Sequence, residues 1–317
     1  MLDFSKTFFE KEIREDFTVD STMKCFWAAE LEVLREIAVI CERHRLQWCA
    51  AYGTLLGAVR HQGFIPWDDD MDIWMKREDY MKFLEVASQE LPKGYLIHSP
   101  MTERGYLQFH SCVLNASSVS VESKRLQDFH GCPFVVGVDI FPLDTLPDDP
   151  VKREEEKTLF DLVSIAATMV NKQERTAENF LKLKQMLMRI ETQCQIRIPD
   201  ELLLPQKKDE LVSELQCVGN QIVMKYDKEP GKILVMYMDY INWNQKQFAS
   251  EWFSEMENAV FEEFYIPIPA SYDKILRVIY GDYQKRIRNT SMHGYPMYQK
   301  QLDQLRDMIH KLETEKN

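Results

Sequence analysis

The sequence predicts an α+β protein: a mixed sheet with flanking helices over residues 1–150, and a mainly helical region over 151–317 that packs on it and completes the site. Three observations carry this. Short β-like runs alternate with amphipathic helices as far as about residue 141. Almost no period-two pattern survives between 151 and 260. The turn-rich Pro147-Asp148-Asp149-Pro150 separates the two regimes.

Residues 22–45 place Trp27, Leu31, Leu34, Ala38 and Cys41 at the three-to-four spacing of a buried helix face, with Glu30, Glu32, Arg35, Glu36 and Glu42 among them. Leu46–Ala51 reads as a short strand ending at Tyr52-Gly53. A small-residue turn follows, then two helical turns over Leu55–His61. Pro66 holds Ile65 extended. Met71–Met75 reads as a second strand, and Arg77–Ser88 as an amphipathic helix carrying Tyr80, Phe83, Leu84 and Ala87. Further β-like runs are Tyr95–His98, Tyr106–Leu114, Ser118–Val121 and Phe134–Phe141. Helices are expected over Val151–Asn171, Ala177–Thr192 and Lys208–Lys225. A Pro-punctuated extended piece over Tyr265–Pro269, a short helix over Tyr272–Tyr280 and a polar helical tail from Tyr298 complete the chain.

The 317 residues include 39 Lys and Arg against 51 Asp and Glu, a formal net charge of −12. That balance argues against general nucleic-acid binding, which needs a basic footprint. It also disfavours simple docking on an anionic membrane unless basic residues cluster locally. No apolar run approaches the roughly 18 residues of a membrane-spanning helix, and the charged N-terminal stretch has no signal-peptide core. Seven cysteines without C-x-x-C spacing read as thiols in a reducing compartment. The expected location is cytoplasmic.

Chemistry concentrates in Tyr52–Asp72. Asp68, Asp69, Asp70 and Asp72 fall within five residues, and on a strand starting near 70 the side chains of Asp70 and Asp72 share a face. Two such carboxylates repel unless a cation lies between them. Hard oxygen ligands suit Mg²⁺ or Mn²⁺, with phosphate oxygens completing the coordination. Asp139 is a third acid, set between Val138 and Ile140 in an apolar run, where burial demands a partner or a metal. A Gly-Thr pair, an acid-apolar-acid strand and a later in-strand acid form the pattern of the nucleotidyltransferase fold. In that fold the turn's N–H groups approach a phosphate and the acids hold metal.

The run Y-G-T-L-L-G-A-V-R-H-x-G-F-I-P-W-D-D-D-x-D-I, followed by R-E-D-Y-x-K-F-L, closely resembles the LicD family, relatives of fukutin and fukutin-related protein. The resemblance returns at Val138–Asp144, at Phe264-Tyr-Ile-Pro-Ile-Pro and at Leu276–Tyr283, bracketing roughly residues 25–295. It implies a metal-dependent phosphotransferase that moves an alcohol phosphate, foremost phosphocholine, from a CDP-alcohol such as CDP-choline. The acceptor is a hydroxyl of a cell-surface glycan, such as teichoic acid or lipopolysaccharide, or its lipid-linked precursor, and CMP is released. Position by position it implies Asp70, Asp72 and Asp139 as metal ligands. Gly53 and Thr54 would cradle the diphosphate and Arg60 or His61 would neutralise it. Asp68 and Asp69 would contact the substrate or support the ligands. His110 stands where the family pattern carries basic residues, and His293, in Asn289–Gly294, falls near a recurrent family His.

In the expected reaction Asp139 helps deprotonate the acceptor hydroxyl, and the distal phosphorus is attacked in line. Choline would need an aromatic cage, with Trp67 the candidate nearest the acids among Trp67, Trp74, Tyr106, Trp243, Trp252, Tyr280 and Tyr283. Lys285, Arg286 and Arg288 form a basic patch suited to an anionic or lipid-linked acceptor at the inner membrane face. The rival enzyme is a nucleotidyltransferase that modifies a small molecule and releases pyrophosphate. The non-enzymatic rival is a scaffold that works through its helical half.

Overall fold

In a computed structural model the residues described are 1–172, 176–226, 231–243, 245–288 and 294–314. The fold is mixed α and β, as expected. A hairpin of β1 (Glu12–Arg14) and β2 (Phe17–Val19) leads into α1 (Ser21–His44), which Asp20 caps by accepting from Met23 N. Then come β3 (Cys49–Ala50), α2 (Tyr52–His61), β4 (Met71–Lys76), α3 (Arg77–Glu90), β5 (Leu96–His98), β6 (Ser111–Leu114), α4 (Ser123–Asp128) and β7 (Gly137–Thr145). The second half carries α5 (Pro150–Lys172), α6 (Ala177–Cys194), α7 (Lys208–Val223), β8 (Ile233–Val235), α8 (Tyr237–Asn242) and β9 (Phe248–Ala249). It ends with the hairpin β10 (Met256–Phe261) and β11 (Phe264–Pro269), then α9 (Tyr272–Tyr280) and α10 (Leu302–Thr314).

Seven strands form the main sheet, in the order β3-β4-β7-β6-β5, with β8 added to the far end of β7 and β9 to β8. The central pair β4–β7 is parallel, with Asp72 opposite Asp139 and Ile73 opposite Ile140; its neighbours are antiparallel. Parallel pairing requires a long crossover, and α3, β5, β6 and α4 fill it. Met71, Ile73, Val138 and Ile140 are buried, while Asp72 and Asp139 are half-buried on the opposite face.

The expected helices and the strands β4, β5 and β7 are present, with three differences. The segment Ser118–Val121 is not a strand. Strands β1, β2, β8 and β9 lie where none was expected, because strands of two or three residues are too short to show alternation, and the six-residue β10 falls at the end of a stretch read as lacking a period-two pattern. Finally, α2 begins at Tyr52, so Gly53 and Thr54 belong to its first turn and not to a turn before it. Two apolar clusters result. One joins residues 8–143 to residues 234–298, and the other packs Phe109 and Leu146 with α5, α6, α7 and Tyr237.

A buried ion pair ties these parts together. Arg77 Nε and Nη2 lie 2.6 and 2.9 Å from the two Asp144 oxygens, and Arg77 Nη1 donates to Asn220 Oδ1 at 3.1 Å. Arg77 opens α3, Asp144 lies near the end of β7 and Asn220 is on α7. This fork fixes the C-terminal ends of the two central strands against the helical half.

Candidate active site

Strand register brings the acids together. Asp72 and Asp139 are directly opposite across β4–β7, and Cys112 of β6 is the next in that row. The Cys112 thiol bonds to Asp139, and its pKa is pushed well up by burial, then by Asp139. His110 Nε2 lies 3.6 Å from Asp139 Oδ2, its ring 4.5 Å from that of Phe141. Burial, followed by the charges of Asp70, Asp139, Asp68 and Asp239, pushes the Asp72 carboxyl well above the ordinary carboxylate range. Such repulsion favours a proton or a cation at this point.

The first turn of α2 adjoins the acids. The Thr54 hydroxyl accepts from Asp72 N at 2.8 Å, and Ala51 N donates to Asp72 O at 2.9 Å. A Cβ on Gly53 would fall 2.6 Å from Asp68 Oδ2, so the glycine makes room for that carboxylate at the helix N-terminus. Tyr52 adopts φ +38, a sparsely allowed conformation for an aromatic residue. The conformation is held by ring contacts to Trp74 and Phe141 at 5.0 and 5.2 Å and by the Tyr52 hydroxyl donating to Asp239 Oδ2 at 2.9 Å. Asp239 also meets Lys246 Nζ at 3.2 Å, and Lys246 lies 4.2 Å from the Trp243 ring centroid. The helical half therefore supplies a wall of the site.

Other expected site residues have different partners. Arg60 Nη1 donates to the carbonyls of Tyr283 and Lys285 at 2.8 and 3.4 Å, at the opposite end of α2 from Gly53. His61 faces Glu15 at 3.5 Å, and burial followed by Arg60 lowers its pKa to about 4. Arg286 pairs with Glu15 at 2.5 Å and Arg288 donates to the Glu15 carbonyl, so this basic patch is engaged within the fold. Trp67 is buried, with the Arg288 guanidinium 5.1 Å from its ring centroid. At 7% exposure its ring does not present a face to a ligand cation. Asp69, fully buried, accepts from Met297 N and holds the C-terminal segment. His293 lies outside the described residues.

Sequence reasoning gave Glu30 no role, yet it lies beneath the acids. It is 1% exposed on α1, and its Oε2 has no hydrogen-bonding partner among the described residues. Burial, then Asp69, Asp70, Asp68 and Asp72, raises its pKa well above the ordinary value. The signal was available: Glu30 falls three residues after Trp27 and four before Leu34, on the apolar face of α1. Because the folded state binds this proton more tightly than the unfolded chain, Glu30 costs stability as pH rises from about 4.5 through its raised folded value. In cation-free buffer, Glu30→Gln is expected to raise neutral-pH stability by about 1–3 kcal/mol and to flatten that decline. Urea titrations of both proteins between pH 4 and 8 check it, and an unchanged pH slope would contradict it.

Among the described residues no group of three or more His, Cys, Asp or Glu side chains is preassembled as a metal cage. Mg²⁺ typically takes one or two carboxylates and completes its octahedron with waters and substrate phosphates. The Asp72–Asp139 pair, with Asp70 contributing charge, fits that kind of site.

Residues 45–149, which span the Gly-Thr turn, the acids and β7, match the family described as LicD/FKTN/FKRP, nucleotidyltransferase domain. The chain is also 27% identical over 256 residues to the lipopolysaccharide cholinephosphotransferase LicD of Haemophilus influenzae, covering 80% of this chain and 88% of that protein. Residues 45–149 carry the LicD family's nucleotidyltransferase domain. A shorter likeness to an uncharacterised protein of Rickettsia typhi, 38% identical over 66 residues, covers 21% of each chain. The segment matched to the LicD domain ends at Asp149, just before α5. Asp239, Lys246 and Trp243 therefore lie outside the matched segment, with Asp239 and Lys246 in contact with its Tyr52.

Proposed function

We propose that the protein is a metal-dependent phosphotransferase that moves phosphocholine from CDP-choline, or another alcohol phosphate from its CDP ester, to a hydroxyl of a cell-surface glycan or its lipid-linked precursor. The observation that carries this reading is the likeness along 88% of a lipopolysaccharide cholinephosphotransferase, a span far longer than the acid motif itself. The geometry of the acids supports it.

A bound Mg²⁺ or Mn²⁺, held by Asp72 and Asp139 with Asp70 nearby, would neutralise charge on the donor diphosphate. The chain's own residues do the rest. The first turn of α2 presents backbone N–H groups that have no acceptor within the helix. Thr54, bonded to Asp72 N, fixes that turn against β4. Asp139 is positioned to take the acceptor proton, and His110 beside it is a second site for that proton. In-line displacement at the distal phosphorus then releases CMP. For the quaternary ammonium, Tyr280 is the ring to consider. It is 41% exposed, and its phenol pKa is raised by burial and then by Asp72, Asp68 and Asp70. No described helix is long and apolar enough to cross a membrane. A lipid-linked acceptor would be met at the inner membrane face.

The test is a screen of CDP-choline, CDP-ethanolamine, CDP-ribitol and CDP-glycerol with Mg²⁺ and a lipopolysaccharide or teichoic-acid acceptor. CMP release with CDP-choline is the expected result. Pyrophosphate release from a nucleoside triphosphate, with no CMP from any CDP-alcohol, would instead assign a nucleotidyltransferase.

A further inference from the structure

We propose that Trp243 and Lys246, on the segment leaving α8, form the nucleotide end of the donor site, with Trp243 stacking on the pyrimidine and Lys246 meeting the adjacent phosphate. This rests on the phosphotransferase reading and names residues that reading did not require.

The first ground is continuity. Asp139 meets His110 at 3.6 Å, the His110 ring lies 4.5 Å from Phe141 and Phe141 5.2 Å from Tyr52; Tyr52 joins Asp239, Asp239 joins Lys246, and Lys246 lies over Trp243, at 2.9, 3.2 and 4.2 Å in turn. An unbroken path of contacts thus runs from the acid row to an aromatic ring.

The second ground is exposure. Trp243 is 40% exposed, whereas Trp27 and Trp74 are fully buried and Trp67 nearly so. A half-open indole beside an ammonium group suits a nucleotide, whose base has a π-face and whose phosphate is anionic. Base–aromatic stacking is tolerant of base identity, because every base has a π-face. Lysine serves phosphate as a compact point charge.

The third ground is need. CMP departs carrying negative charge, which a nearby cation stabilises. Arg60 is bound to the carbonyls of Tyr283 and Lys285, and Arg286 to Glu15, so neither faces the acids. Lys246 is 16% exposed and held at 3.2 Å by Asp239, the carboxylate that the Tyr52 hydroxyl at the start of α2 reaches at 2.9 Å. Asp239 is thereby a positioning residue, fixing Lys246 and the Tyr52 hydroxyl together.

Calorimetry on the full chain with Mg²⁺, using cytidine and CMP as probes, separates the two contacts. Trp243→Ala is expected to weaken cytidine and CMP alike by about tenfold or more, with Trp243→Phe retaining most of the affinity. Lys246→Met is expected to weaken CMP by about tenfold while leaving cytidine within twofold, and Lys246→Arg to restore part of the loss. The conservative pair keeps the test decisive should an Ala or Met variant fail to fold. If the wild type binds CMP and all four variants match it within twofold, the assignment is overturned and the phosphotransferase reading stands. If the wild type binds no cytidine compound, that underlying reading falls and the assignment falls with it.

Discussion

Asp72→Asn and Asp139→Asn are each expected to lower CMP release from the correct CDP-alcohol by about a thousandfold or more, equivalent to ~4 kcal/mol of transition-state stabilisation. The two carboxylates stand opposite each other on adjacent parallel strands, where their charges are poorly tolerated without a counter-ion. Removing either charge leaves the diphosphate with half of its cation-holding pair. Stability should move the other way for Asp72. Its carboxyl is pushed well up by burial and by Asp70, Asp139, Asp68 and Asp239, so the neutral amide relieves a cost in cation-free buffer. Lower turnover together with unchanged or raised thermal stability marks a functional acid. Retained turnover in both variants would remove the metal assignment, and loss of both turnover and stability would assign Asp72 a structural role.

Arg77→Ala and Asp144→Ala are each expected to destabilise the fold by about 3–5 kcal/mol, because each removes one half of a buried ion pair. Arg77 is 5% exposed and Asp144 0%. The bidentate geometry, with the third bond to Asn220, makes this fork stronger than any exposed pair. Burial pushes the Asp144 carboxyl up even as Arg77 pulls it down, which shows how much desolvation the pair must overcome. The double variant Arg77→Met with Asp144→Leu should recover much of the loss, since it removes both charges together. Denaturant midpoints of the three proteins decide this. Single variants within 1 kcal/mol of wild type would show that the pair contributes little.

Much of this was legible because strands announce themselves through what surrounds an acid. Asp72 and Asp139 each stand between apolar neighbours, so both were visible as in-strand carboxylates before any pairing was known. Their register was not visible, since it depends on the crossover through α3, β5, β6 and α4. Helix phase was the weaker inference. Gly53 and Thr54 are poor helix formers, so the first turn of α2 read as a loop, and the direction taken by Arg60 and His61 could not be anticipated. Asp239 and Lys246 carry no local signal, because their position comes from contacts with Tyr52, nearly two hundred residues earlier in the chain, and Trp243 follows through Lys246. Glu30 differs from these. Its position on an apolar helix face was evident, and only the acids above it were hidden.

The parallel pairing of β4 with β7 also sets a schedule for synthesis. While the ribosome is still making the segment between Lys76 and Gly137, the first acids have no opposite strand. The pair forms only after β7 emerges, and β7 itself gains β8 only once residues 233–235 follow. Asn220, Asp239 and Lys246 arrive within the same late stretch. Contacts separated by this much chain are slow to close, and chains of this length commonly pass through partly assembled intermediates. A nascent or truncated chain ending near residue 150 would therefore display the acid motif without the wall that completes it. Such a fragment would carry the family's signature and lack its chemistry.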